Sequence, residues 1–93
     1  MKTIDLWKTF TAEERMTREG GGKLRDLILD QNQVKLLFHG KAIASVSFFD
    51  ESIAKLAENG WSTQRIFKEI EFNQIHPRDL AILKDLVKER AKG

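Results

Sequence analysis

Apolar residues along the chain follow two periods that predict an alternation of strands and helices. Ile4 and Leu6 alternate with Asp5 and Trp7, a period of two that predicts a short first strand. Thr11-Ala12-Glu13-Glu14 has the spacing of a capping box, in which hydroxyl and carboxylate each satisfy a backbone donor. With Thr17-Arg18-Glu19-Gly20 following, a helix is predicted to begin in this region. Leu24, Leu27 and Ile28 carry it at helical spacing to the turn-forming Asp30-Gln31-Asn32. Residues 33–39 place Val34, Leu36 and Phe38 on one face and Leu37 on the other, as in a strand buried from both sides, and Gly40 ends it.

From Ser47 the period becomes helical again. Ser47-Phe48-Phe49-Asp50 puts a hydroxyl at the N-cap and a carboxylate three residues on. Phe49, Ile53, Leu56 and Ala57 line one side, and Asn59-Gly60 stops the helix. Residues 61–67 fit either a turn of helix or the lead-in to the next strand. Residues 69–73 alternate as a strand with one wet face, near the sheet edge. His76-Pro77-Arg78-Asp79 opens a last helix with proline at its first position, and Leu80, Leu83 and Val87 form its buried stripe, widened by Ala81 and Leu86. The order predicts one α/β domain over residues 1–93, of βαβαβα sequence, with helices packed on a short mixed or mainly parallel sheet. Right-handed crossovers make at least the second and third strands parallel.

Composition narrows the function classes. Sixteen Lys and Arg against 14 Asp and Glu leave a net charge of +2 with the signs interspersed, which is no footprint for nucleic acid. The basic C-terminal stretch, Lys84 to Lys92, carries acids within it and is explained as the wet face and end of a helix, where cations complement the dipole. The absence of cysteine removes disulfides, thiolate catalysis and cysteine-rich zinc sites, and suits a reducing cytoplasm. No signal-peptide run and no apolar stretch of roughly 20 residues is present, so a cytoplasmic protein that does not engage membranes is expected.

Little in the chain points to catalysis. His39 and His76 do not form a sequence-local metal pair, and Ser45 lacks the Gly-x-Ser-x-Gly elbow. The acid pairs Glu13-Glu14 and Asp50-Glu51 fall at predicted helix starts, where the macrodipole accounts for them. No catalytic residue, metal or cofactor is therefore expected. One segment suggests anion chemistry: Arg18 followed by Gly20, Gly21, Gly22 and Lys23, where helix-start amides and two cations could take a phosphate or nucleotide. It lacks the Walker spacing. Close packing of the early helix is the other explanation for the glycines.

The run Val34-Lys35-Leu36-Leu37-Phe38-His39-Gly40, followed by Ser45-Val46-Ser47-Phe48-Phe49-Asp50-Glu51, resembles the STAS-like domain family, named for its similarity to sulphate-transporter and anti-sigma-factor-antagonist domains. Thr17-Arg18-Glu19 with Gly21, and residues 67–73, extend the likeness to about four fifths of the chain. Leu37, His39 and Val46 depart from the pattern, standing where the family has aspartate, serine and serine. The resemblance implies a non-catalytic regulatory module that docks a signalling protein, a histidine-kinase-like ATPase regulator among the partner types, through Ser45, Ser47, Phe48, Asp50 and Glu51. Ser45 and Ser47 are also its candidates for phosphorylation. A homodimer is a further partner expectation, and a phosphate-binding domain using Arg18 and the Gly20 to Lys23 segment is the competing function.

Overall fold

The computed structural model describes residues 1–92. Three strands, β1 (Lys2–Asp5), β2 (Val34–Leu37) and β3 (Ile70–Asn73), form one sheet in the order β1-β2-β3, parallel at both pairings. The expected small α/β architecture is thus what the chain forms. Register puts Ile4, Leu36 and Phe72 in one row and Val34 beside Ile70 in another, and these residues face the helices. The intervening rows, Thr3-Lys35-Glu71 and Asp5-Leu37-Asn73, point the other way and keep contact with solvent. The double burial expected of β2 is therefore not found. Lys35 and Leu37 are only half-buried, and Lys35 pairs with Glu71 across the open face at 3.6 Å. Strands in sequential order, joined by crossovers of one hand, carry their helices on one face, which leaves the row of Leu37 partly covered.

Caps explain where the helices start. Asp5 ends β1 by accepting hydrogen bonds from the amides of Trp7 (3.0 Å) and Lys8 (3.2 Å), so Leu6, expected in the strand, opens the one-turn helix α1 (Leu6–Thr9). The capping box exists: Thr11 N donates to Glu14 Oε1 at 2.9 Å and Glu14 N to Thr11 Oγ1 at 3.1 Å. It nucleates only a 3₁₀ turn (Glu14–Met16). Thr17 then caps α2 (Arg18–Gln31).

The next helix, α3 (Val46–Ser52), begins two residues earlier than expected. Its cap is Ser45, not Ser47. It passes into a 3₁₀ segment (Ala54–Asn59) that stops at Gly60 with φ +87°, so Asn59-Gly60 is the terminator the sequence suggested. Residues 63–67 of the 61–67 stretch are helix: α4 (Thr63–Glu69) is capped by Ser62 and ends on Glu69, a residue expected in the third strand, with the Arg65 guanidinium 4.0 Å from the centre of the Trp61 ring.

Pro77 takes the first position of α5 (Pro77–Lys92). Leu83 and Val87 are buried and Leu80 and Leu86 half-buried, but Ala81 is exposed, while Asp79 is fully buried and Ile82 half-buried. At 3.6 residues per turn, positions 79, 83 and 87 align on the inner face. The stripe therefore includes a carboxylate that apolar counting had left outside.

The core joins the sheet face to α2, α3, the 3₁₀ segment that follows it and α5 through Leu24, Ile28, Phe49, Leu56, Leu83 and Val87. All six phenylalanines form one string through it. Phe10 meets Phe48, Phe48 meets Phe49, Phe49 meets Phe38, Phe38 meets Phe72 and Phe72 meets Phe67, with ring centroids 5.7–6.4 Å apart. The string ties α3 to the residue that follows β2 and to β3. Among the described residues, no helix is long and apolar enough to cross a membrane.

Candidate functional site

The site is built where the chain leaves β2 and enters α3. Phe38 is fixed on both sides, its amide donating to Asn73 O (3.0 Å) and its carbonyl accepting from Trp7 Nε1 (2.8 Å). His39 (φ +56°) and Gly40 (φ +70°) turn the chain in the left-handed region, and Gly40 N donates to Gln74 O at 2.9 Å. His39 Nε2 lies 2.8 Å from Asp5 Oδ2, and this contact, with the Trp7 and Lys8 amides, holds the Asp5 carboxyl below its usual range.

Asp79 sets the geometry of the following residues. From the buried face of α5 its Oδ2 accepts from Ile43 N (2.7 Å) and its Oδ1 from Ala44 N (2.8 Å). This two-point grip holds Ala44 at φ +54°, a conformation that costs an alanine about 1–2 kcal/mol. The chain is thereby turned so that Ser45 reaches the helix. Ser45 Oγ accepts from Phe48 N (3.1 Å) and donates to Met16 O (3.2 Å). Val46, first residue of α3, projects from this fixed corner with 54% of its surface exposed, and Met16 is 58% exposed.

The body of α3 is secured by ion pairs. Asp50 receives Arg90 Nε and Nη2, each at 2.8 Å, and Arg18 Nη1 at 3.0 Å. Glu51 receives Arg25 at 2.7 Å, Lys55 at 3.0 Å and Arg18 at 3.5 Å. Arg90 also contacts Glu58. The bidentate Arg90 contact is the main cause that lowers Asp50 to about 2, and Arg25 followed by Lys55 lowers Glu51 to about 2. Both carboxylates are therefore engaged inside the fold, joining α3 to α2 and α5.

The residues expected to dock a partner are thus brought together but not equally presented. Phe48 is fully buried in the aromatic string, so the exposed contact expected of it is absent and its role is packing. Ser45 is buried as the cap, and Ser47 is half-buried at the second position of α3. Asp50 pairs with arginines instead of supporting a cap at Ser47.

In the other candidate segment, a Cβ on Gly20 would stand 1.8 Å from Glu14 O, and one on Gly21 would stand 2.7 Å from Phe48 O. Both glycines are where α2 meets other backbone at close range. Gly22 faces open space. Gly20 N is taken by Thr17 Oγ1, Lys23 Nζ pairs with Glu14 at 2.6 Å, and Arg18 is held by Asp50 and Glu51. The polar groups of the segment already have partners within the chain.

The surface of the described residues includes two hollows. One, of about 160 Å³, is lined by Trp7, Ala12, Arg15, Met16, Ala42 and Ile43. The other, wider and shallow at about 620 Å³, has Phe10 and Leu27 among acids Glu14, Asp26 and Asp30. Trp7, Arg15, Met16 and Asp79 were not singled out as site residues from the sequence. The only signals for Asp79 were its i, i+4, i+8 alignment with Leu83 and Val87. Among the described residues, no three His, Asp or Glu side chains are grouped to hold a metal ion. No family model matches this sequence, and no curated protein or solved structure matches it either.

Proposed function

We propose that this chain is a non-catalytic protein-interaction module of the STAS-like type, and that it docks a signalling partner through the corner where residues 41–45 enter α3. The observation that carries the proposal is the pair of exposed apolar side chains, Val46 and Met16, on a backbone held by Asp79 and by the Ser45 bridge. An exposed valine at a helix start contributes nothing to the core, while a pre-set backbone lowers the ordering cost of binding. The docking set is accordingly Val46, Met16 and Ser47, with Asp50 and Glu51 as the ion-paired support behind them and Phe48 as packing. A histidine-kinase-like ATPase regulator is the partner type that the family resemblance suggests.

The test is affinity capture from native lysate with the wild-type chain, Val46→Asp and Lys84→Ala as baits, read by mass spectrometry. An ATPase-type regulator enriched by wild type and Lys84→Ala but lost with Val46→Asp supports the proposal. Identical captures by wild type and Val46→Asp would end it. Light scattering of the pure chain tests the homodimer: a dimer that dissociates in Val46→Asp would make a second copy the occupant of this corner.

A further inference from the structure

We infer that the pocket between Trp7, Arg15, Met16 and Ile43 seats one apolar anchor side chain of a partner segment that carries acidic residues beside that anchor. The inference rests on the docking proposal above and names the chemistry of the docked segment. Size is the first argument. At about 160 Å³ the pocket is well below the roughly 300 Å³ at which small-molecule sites begin. A cavity of about 150 Å³ accepts one benzene-sized group, so the pocket suits a single leucine, isoleucine or phenylalanine side chain.

Continuity is the second argument. Met16 both lines the pocket and stands exposed, and its carbonyl is bonded to Ser45, next to exposed Val46. Two exposed apolar side chains thus stand at a junction bridged by the Met16–Ser45 bond, within reach of one extended segment that inserts a side chain into the pocket.

Charge selects the neighbours of the anchor. Arg15 lies with its guanidinium carbon 3.9 Å from the centre of the Trp7 ring, and Lys41 Nζ lies 5.2 Å from that centre. Arg15 is held there by donating to the carbonyls of Leu6 and Phe10. No carboxylate lines the pocket, and neither cation pairs with one among the described residues. The cations around α3 differ in this respect, since Arg18, Arg25, Lys55 and Arg90 are all engaged by acids. Two uncompensated cations at the rim favour an acidic segment and repel a basic one.

The test uses the full chain, 15N-labelled, titrated with the acetylated and amidated pentapeptide Glu-Glu-Leu-Glu-Glu. Controls are the same peptide with central alanine, Lys-Lys-Leu-Lys-Lys, and a short oligothymidylate. Saturable movement of the Trp7 indole and of the Arg15, Met16 and Ile43 amides is expected with the acidic leucine peptide. About tenfold weaker binding is expected for the alanine peptide, from the lost apolar burial. About fivefold weaker binding is expected in Lys41→Glu, from the reversed rim charge. Ala42→Leu fills the pocket from an exposed position and should abolish the Trp7 shift while leaving the rest of the spectrum in place.

Equal binding of the acidic and basic peptides, a Trp7 response to oligothymidylate alone, or no shift at millimolar peptide would overturn the inference. Failure here separates from failure of the docking proposal. A captured partner lost in Val46→Asp but kept in Ala42→Leu removes the pocket and leaves the docking corner. A peptide that binds normally, with captures indifferent to Val46→Asp, does the reverse.

Discussion

Replacing Asp79 by asparagine tests how the docking corner is made. The carboxylate accepts two amides from a fully buried position. Asparagine keeps one acceptor oxygen and sets its NH₂ against the other amide, donor facing donor. Loss of one charge-assisted bond is worth about 1.5–3 kcal/mol and an unsatisfied buried N–H costs about 1–3 kcal/mol, offset in part because a charge no longer has to be buried. The expected destabilisation is about 2–4 kcal/mol, a large share of the roughly 5–15 kcal/mol that holds a domain together. For a chain of this length it corresponds to a fall in Tm of about 10–25 °C.

Ala44→Gly should act in the opposite direction. Glycine adopts φ +54° freely, and after its own backbone entropy is counted the gain is about 0.5–1 kcal/mol. If Asp79 is what holds Ala44 there, the gain from glycine should shrink in the Asp79→Asn background by about 0.5 kcal/mol, as coupled sites do. Urea titrations give each midpoint, and an unchanged m-value confirms that compactness is preserved. An Asp79→Asn variant within about 1 kcal/mol of wild type, or an Ala44→Gly variant that loses stability, would refute the account.

Gly20→Ala forces a Cβ onto Glu14 O and should cost more than about 2 kcal/mol, whereas Gly22→Ala, facing open space, should gain up to about 1 kcal/mol; thermal melts of the two separate packing from propensity. Asp50 and Glu51 sit near 2 in the fold against 3.8 and 4.5 as ordinary values, so on acidification the unfolded chain takes up protons first. Their stabilisation is complete above about pH 4.5 and declines towards about pH 2, and urea titrations at about pH 6 and about pH 3 should show a smaller difference for Asp50→Asn/Glu51→Gln than for wild type; an equal difference would contradict the assignment. Val46→Asp should leave stability within about 0.5 kcal/mol or raise it slightly, because an exposed acid suits a helix start, so any loss of binding in that variant is not a loss of folding; a drop in the urea midpoint would remove that inference.

Periodicity made the architecture legible because each strand and helix shows its buried face locally. Val34, Leu36 and Phe38, or Leu24 and Ile28, declare a side without reference to anything distant. The α3 boundary did not yield to the same approach. Ser47-x-x-Asp50 is the better start by local pattern, and it is overridden by a carboxylate 35 residues away gripping the Ala44 amide, which makes Ser45 the cap. Asp50 likewise resembled a cap partner because Arg90, 40 residues on, is invisible to a local window. The glycine triplet was ambiguous for a similar reason, since only the approach of Glu14 and Phe48 backbone shows why Gly20 and Gly21 must be small and Gly22 need not be. Long-range polar contacts are what single-sequence patterns leave out.

Those contacts bear on how the proposed docking would be controlled. The start of α3 is tied to α5 through Asp79 and to the 3₁₀ turn through Met16, while its body is tied to α2 through Arg18 and Arg25 and to α5 through Arg90. A helix held at its start and along its body does not have to move for Val46 to be presented, so the proposed docking needs no activating rearrangement. Control would have to act by charge at the surface. Ser47 is the position where that can happen, being half-buried and three and four residues before Asp50 and Glu51, hence on the same side of the helix. A phosphate there would add about −1.5 to −2 charge beside two carboxylates and compete with them for Arg18. Phosphorylation of Ser47 would therefore act on the proposed docking through charge at the start of α3, without unfolding the helix that carries Val46.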